Sequence, residues 1–221
     1  MGDQYKNVDK NVPAAALTTG IYDFYRDNPF TQAYHHAVLG GQMLALMMAR
    51  SNLFNSNPLS LVGFSLGSVL TYSACCTLYD LECRDKIGDV LLIGSTVDLM
   101  SLGQNIHKLI GSKGVIQGKL TVCYTIHDNV LAYLFRSTRL GESPIGLKRI
   151  NHEYLLTCLR ENDPELSKLS YEDLESYLYM KFENIDVSKT VSGHLDYRLK
   201  LLQIFPRIDF NSDLQYYKER S

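Results

Sequence analysis

Short apolar segments alternate along this chain with longer segments in which apolar residues recur at the spacing of a helix. The longer segments predict helices at Val69–Leu81, Met100–Ile110 and Val130–Arg136. The short segments predict buried strands at Leu61–Val62, Asp89–Gly94, Lys119–Thr125 and Ile185–Val187. Because strands and helices alternate, we expect right-handed crossovers and an α/β fold with a parallel sheet flanked by helices.

Turn and capping residues predict where the remaining helices begin. Thr31 has the chemistry of a helix N-cap, and the helix that it opens runs through Met47. Asp163 followed by Pro164 predicts an N-cap and a first helical residue, for a helix that continues through Leu178. A closing helix is predicted at His194–Ile204. We interpret the chain as one domain over residues 28–205, with polar segments at 1–27 and 206–221.

Composition narrows the classes of function. The 221 residues are 45% hydrophobic and 21% charged with a net charge of −2, and no basic patch indicates nucleic-acid binding. No apolar run reaches the length of a bilayer span, and no signal peptide is visible, so we expect no transmembrane segment in this chain. Five cysteines without CxxC spacing predict free thiols in a reducing, intracellular compartment. No metal or organic cofactor is implied.

The segment Gly63-Phe64-Ser65-Leu66-Gly67 has the Gly-x-Ser-x-Gly pattern of a nucleophile elbow. In this motif a strand turns sharply into a helix and exposes one serine, here Ser65. We expect glycine at both Gly63 and Gly67 because side chains there would collide with neighbouring backbone. The alternative is an ordinary strand-to-helix turn in which the glycines serve only packing.

A serine nucleophile requires a base and an acid that orients it, and in this architecture they follow in the order Ser, Asp or Glu, His. Asp128 follows the third predicted strand and His194 follows the last, so both occur in that order after Ser65. Each has an alternative interpretation: Asp128 as a helix cap, and His194 as a surface histidine at a helix start. His127 is a poor candidate because neighbouring residues of an extended segment point oppositely, which leaves His152 as the rival base.

Five segments, in chain order, carry a resemblance to one known family: Leu61–Gly67, Val90–Gly94, His127–Arg136, Asn184–Ser188 and Gly193–Arg198. Through these segments the chain resembles the α/β-hydrolase-like family of transmembrane-and-coiled-coil-domain proteins, long catalogued as a domain of unknown function. The resemblance extends over residues 28–205. It implies a Ser65, Asp128 and His194 triad and peripheral membrane association.

The chain departs from that family at its amino end. Family members carry hydrophobic membrane segments and early sheet strands before the elbow, whereas residues 1–30 here show no convincing strand. The expected fold is therefore a reduced α/β-hydrolase-like sheet. The backbone N–H of Leu66 supplies one oxyanion donor, and a second would have to come from residues 13–27.

Two functions fit these observations. The first is a serine hydrolase that acts on small ester or lipid-like substrates through Ser65, Asp128 and His194. The second is a weak or inactive hydrolase-derived module that serves as a binding or structural subunit of a larger assembly. The second follows from the missing strands, which would leave a sheet edge for a protein partner to cover.

Overall fold

The computed structural model describes residues 28–51, 58–138 and 143–208. These residues form a single sheet with helices on both faces. Two short 3₁₀ helices at Leu166–Lys168 and Phe205–Arg207 complete the described elements. The longer elements, in chain order, are α1 Pro29–Arg50, β1 Leu59–Phe64, α2 Leu66–Asp80, β2 Ile87–Ile93, α3 Leu99–Ile110, β3 Leu120–Tyr124, α4 Asn129–Thr138, α5 His152–Asn162, α6 Tyr171–Lys181, β4 Phe182–Asp186 and α7 Asp196–Ile204.

The four strands lie in the order β1-β2-β3-β4, and every neighbouring pair is parallel. Val90 of β2 is in register with Leu61 of β1 and with Leu120 of β3. This arrangement confirms the predicted α/β fold with a parallel sheet. Because all four strands run in the same direction, the residues that follow them lie at the same end of the sheet, where the strands have their carboxyl ends.

Alternation of side chains along the strands builds two cores. Val90 and Leu92 of β2 join the larger core, which also includes residues of α1, α2, α3, α5 and α6. Leu91 and Ile93 point to the other face and pack with Tyr197 of α7. Because both faces of β2 are covered, its sequence is an almost continuous apolar run rather than an alternating one.

Helix α1 begins earlier than the sequence predicted. Asn28, and not Thr31, is the N-cap: its side-chain oxygen accepts a hydrogen bond of 2.8 Å from the N–H of Phe30. Pro29 occupies the first helical position, where the missing N–H costs no intrahelical hydrogen bond. The prediction failed because Asn-Pro was interpreted as a turn rather than as a cap followed by a first helical residue.

The prediction that a helix begins at Asp163 is also wrong. Asp163 ends α5, which the sequence analysis did not predict, and the chain then forms the 3₁₀ turn at Leu166–Lys168. The Asp163 carboxylate accepts from backbone N–H groups that follow it, which favours this tight turn over a continuing helix. The next helix, α6, has its own cap at Ser170.

Two smaller boundaries differ near the carboxyl end. Strand β4 covers Phe182–Asp186, whereas the sequence predicted a strand at Ile185–Val187. The strand therefore begins three residues earlier than predicted and ends one residue earlier. Helix α7 begins at Asp196, so His194 lies in the loop between β4 and α7 rather than inside the helix. Among the described helices, none combines the length and apolar character needed to cross a bilayer.

Candidate active site

Ser65 lies at the junction of β1 and α2 in a conformation that is rare for a residue with a side chain. Its φ is +54° and its ψ is −123°. The Ser65 N–H donates to the carbonyl of Ile93 at 3.0 Å, and its carbonyl accepts at 3.0 Å from the hydroxyl of Thr96. These hydrogen bonds hold the residue in a geometry that costs about 1–3 kcal/mol. The side chain is partly exposed.

The two glycines of the motif have different roles. A methyl group at Gly63 would lie 2.6 Å from the Cα of Ser68, so only glycine fits there. The same methyl group at Gly67 would have no neighbour within 4 Å among the described residues. The steric reason expected for Gly67 is therefore wrong. Gly67 itself is exposed.

Asp128 follows β3 by four residues and is fully buried. One carboxylate oxygen accepts a hydrogen bond of 2.9 Å from the backbone N–H of Leu131, near the start of α4. The other oxygen lies 2.7 Å from Nδ1 of His194. The capping role considered from the sequence is thus real, and it leaves the second oxygen available to the imidazole.

His194 is buried, unlike the surface histidine considered as its alternative. Its Nε2 lies 2.8 Å from the hydroxyl oxygen of Ser65, and its Nδ1 faces Asp128. A carboxylate only accepts hydrogen bonds, so the Nδ1 proton is donated to Asp128 and Nε2 accepts from the serine hydroxyl. The structure therefore brings Ser65, His194 and Asp128 into one hydrogen-bonded line.

Hydrogen bonds between loops hold this line together. The Thr125 hydroxyl donates to the carbonyl of Val191 at 3.0 Å, and the N–H of Ile126 donates to the hydroxyl of Ser188 at 3.2 Å. Both link the loop after β3 to the loop after β4. Neither hydroxyl residue was predicted from the sequence, although Thr125 and Ser188 each lie within two residues of the end of a strand, which was a usable signal.

The rival histidines lie elsewhere. His127 is exposed while its neighbour Asp128 is buried, although Ile126 and His127 form a turn rather than the extended segment that the sequence analysis assumed. His152 packs edge-on against Phe182, the first residue of β4. Phe182 lies at the amino end of the strand, so His152 is at the opposite end of the sheet from Ser65.

The start of α2 presents a backbone N–H that can bind a negatively charged oxygen. Leu66 is the first residue of α2, and the first N–H groups of a helix have no acceptor within it. The helix dipole further favours negative charge at this position. A second N–H donor to the oxyanion is expected from residues 13–27, which lie outside the described residues.

Among the described residues, metal binding and cysteine chemistry have less support than a serine nucleophile. No group of three or more His, Cys, Asp or Glu side chains there is arranged to hold a metal ion. All five cysteines are free. Burial raises the pKa of Cys76 to about 11 and of Cys123 to about 12, so these thiols stay protonated and weakly nucleophilic at neutral pH.

The family model described as "Protein of unknown function (DUF726)" matches residues 16–162 of this chain. The chain belongs to the DUF726 family. The match spans the elbow and Asp128 and ends before β4 and His194. It agrees with the resemblance, drawn from the sequence, to a family of unknown function.

Two curated yeast proteins are similar to this DUF726 chain. The first, "Probable lipase MIL1" of Saccharomyces cerevisiae, is 27% identical over 183 residues, which are 82% of this chain. The second, "Uncharacterized membrane protein C6F6.13c" of Schizosaccharomyces pombe, is 29% identical over 188 residues, or 83% of this chain. The matched regions are 14% and 20% of those two proteins, so the chain spans a small part of their length. No solved structure matches the chain.

Proposed function

We propose that this protein is a serine hydrolase that cleaves ester bonds of small acyl or lipid-like substrates on an α/β-hydrolase-like fold. The observation that carries the proposal is the line of contacts from Ser65 Oγ to His194 Nε2 at 2.8 Å and from His194 Nδ1 to Asp128 at 2.7 Å. This is the geometry that acyl transfer by an activated serine requires. The name of the yeast relative, a probable lipase, favours an ester of lipid character.

In the proposed reaction, His194 accepts the Ser65 proton as the serine oxygen attacks the acyl carbon. Asp128 keeps the imidazole in the correct tautomer and stabilises its positive charge. The Leu66 N–H stabilises the oxyanion that forms on the acyl oxygen. His194 then returns the proton to the leaving alcohol, and water hydrolyses the acyl-enzyme by the same steps.

A fluorophosphonate probe tests this proposal directly. We expect the probe to label the native protein and Ser65→Ala to abolish labelling. Ser60→Ala is the matched control, because Ser60 is an exposed serine on β1, the strand that leads to Ser65. A protein that is folded by circular dichroism and never reacts with the probe would contradict the hydrolase proposal.

A second candidate function is a binding or structural subunit, and the edge of the sheet favours it. Strand β1 pairs with β2 on one side, and among the described residues no strand pairs with its other side. The Val62 side chain on this strand is half-exposed. An open edge of this kind accepts a strand from another polypeptide. A folded, unreactive protein that forms a stable complex through this edge would favour the second function.

A further inference from the structure

Helix α7 carries apolar side chains on both of its faces. Tyr197 and Ile204 are buried against the sheet. On the outer side, Leu195, just before the helix, and Leu199 and Leu202 within it are 70%, 81% and 87% exposed. Spacings of four and three residues place these leucines on one face. A row of leucines this exposed is unusual on a soluble surface and marks an interaction site.

One end of this leucine row lies beside the candidate active site. Leu195 directly follows His194, and Ile126, which is 64% exposed, lies two residues before Asp128. The two loops approach each other closely, since a methyl group at Gly193 would lie 4.0 Å from the carbonyl oxygen of His127. We call Ile126, Leu195, Leu199 and Leu202 the apolar rim.

Charge around the rim differs from the charge of the whole chain. From the last residue of β4 to the end of the described residues, positions 186–208 contain Lys189, Arg198, Lys200 and Arg207 against the acids Asp186 and Asp196, a local charge of +2. The full chain has a net charge of −2. Exposed leucines flanked by cations are typical of helices that lie in the interface of anionic membranes.

We infer that the apolar rim docks this protein on an anionic lipid surface, with the partly exposed Ser65 facing the lipid. The inference rests on the proposed function for that orientation, since an acyl substrate would pass from the lipid to Ser65 without crossing water. Docking itself depends on the leucines and the local positive charge, so it can be measured without any reaction.

The chain contains no tryptophan, which allows a single-tryptophan reporter. We expect the fluorescence of Leu199→Trp to shift to the blue when vesicles of phosphatidylcholine and phosphatidylserine are added. Met180→Trp is the matched control, because Met180 is 65% exposed on α6, just before the amino end of β4. Equal shifts for both reporters, or no shift for Leu199→Trp, would overturn the inference.

A second pair of variants measures affinity. Replacing both Leu199 and Leu202 by Asp should weaken vesicle binding by at least about tenfold, whereas Met180→Asp should not. Vesicles of phosphatidylcholine alone should also bind at least about tenfold more weakly. Because the replaced side chains are exposed, the thermal melt of the variants should stay close to that of the native protein. An unchanged affinity of the double variant would overturn the inference.

Two further measurements separate this inference from its alternatives. If the leucines instead cover a second copy of the chain, sedimentation will show a dimer that the double Asp variant dissociates, and docking on lipid is overturned. Hydrolysis of a soluble short-chain ester should persist in the double Asp variant. A native protein that binds vesicles but neither hydrolyses esters nor labels at Ser65 would retain the docking surface and lose the proposed function.

Discussion

The imidazole of His194 stacks on the ring of Phe64, with 5.0 Å between the ring centroids and 27° between the ring planes. Phe64 is the last residue of β1 and immediately precedes Ser65. The strand that presents the candidate nucleophile therefore also supports the candidate base. Stacking of this kind contributes about 0.5–1.5 kcal/mol beyond the burial of apolar surface.

Replacing Phe64 should therefore affect the position of His194. We expect Phe64→Leu, which keeps an apolar side chain but removes the ring, to slow fluorophosphonate labelling by about threefold to tenfold. Phe64→Tyr keeps the ring and should label at nearly the native rate. Equal rates for both variants would show that the stacked ring does not position the imidazole.

Asp128→Asn tests how the carboxylate orients His194, separately from how it caps the helix α4. The remaining amide oxygen can still accept from the N–H of Leu131, but the amide can no longer hold the His194 proton on Nδ1. We expect the rate of ester hydrolysis to fall by about 10³–10⁴ with little change in thermal stability. Asp80→Asn, which breaks an exposed ion pair with Lys108, should leave the rate unchanged. A loss of less than tenfold for Asp128→Asn would contradict the proposed role.

The parallel sheet was predictable because β2 and β3 are buried on both faces and therefore have continuous apolar sequences. The location of Ser65, Asp128 and His194 at one end of the sheet was predictable because parallel strands deliver the residues that follow them to the same end. Their distances were not predictable. They depend on loop contacts such as that from Thr125 to Val191, which join residues 66 positions apart.

The two wrong predictions of where a helix begins arose because one residue type fits two local structures. Asn28 and Thr31 are both good N-caps, and the position of Pro29 decides between them. Asp163 caps backbone N–H groups equally well at the start of a helix or in a tight turn. Here its contact with Ser112, in a different part of the chain, favours the turn. Such long-range contacts cannot be predicted from the local sequence pattern.

The two glycines of the elbow should respond oppositely to alanine. Gly63→Ala places a methyl group 2.6 Å from the Cα of Ser68, and we expect a loss of about 1–3 kcal/mol in the free energy of unfolding. Gly67→Ala meets no neighbour within 4 Å among the described residues, and because Gly67 lies in a helix the change should raise the free energy of unfolding by about 0.5–1 kcal/mol. Urea denaturation of both variants checks the pair. Similar destabilisation of both would contradict the asymmetry of the elbow.

Asp163 should make stability depend on pH in the acid range. Burial raises the pKa of its carboxyl, but hydrogen bonds from Leu166, Ser112 and Glu165 outweigh burial and hold that pKa below its ordinary value. A lowered pKa in the folded state adds stability above the unfolded value of about 3.9, and this stability is lost as the pH falls through the folded value.

The variant Asp163→Asn tests this dependence. It should lose about 2–3 kcal/mol of stability at pH 7, and the gap to the native protein should narrow below about pH 4. Glu165→Gln, which breaks an exposed ion pair with Lys168, should change stability little at either pH. A gap for Asp163→Asn that stays constant from pH 7 to pH 3 would exclude the carboxylate as its source.

Tyr197 combines complete burial with a hydroxyl that has no hydrogen-bond partner among the described residues. Burial raises the pKa of this phenol, and the nearby Asp128 carboxylate raises it further, so the hydroxyl stays neutral. An unpaired buried hydroxyl costs about 1–3 kcal/mol, while the ring itself fills space against Gly94.

Tyr197→Phe keeps that ring and removes the cost. We expect its melting temperature to rise by about 2–4 °C, which corresponds to about 1 kcal/mol for a domain of this size. Tyr197→Leu is the matched control: it also removes the hydroxyl but loses ring contacts with Phe64 and His194, and it should melt below the native protein. If Tyr197→Phe instead melts lower than the native protein, the hydroxyl has a stabilising partner, and the prediction is wrong.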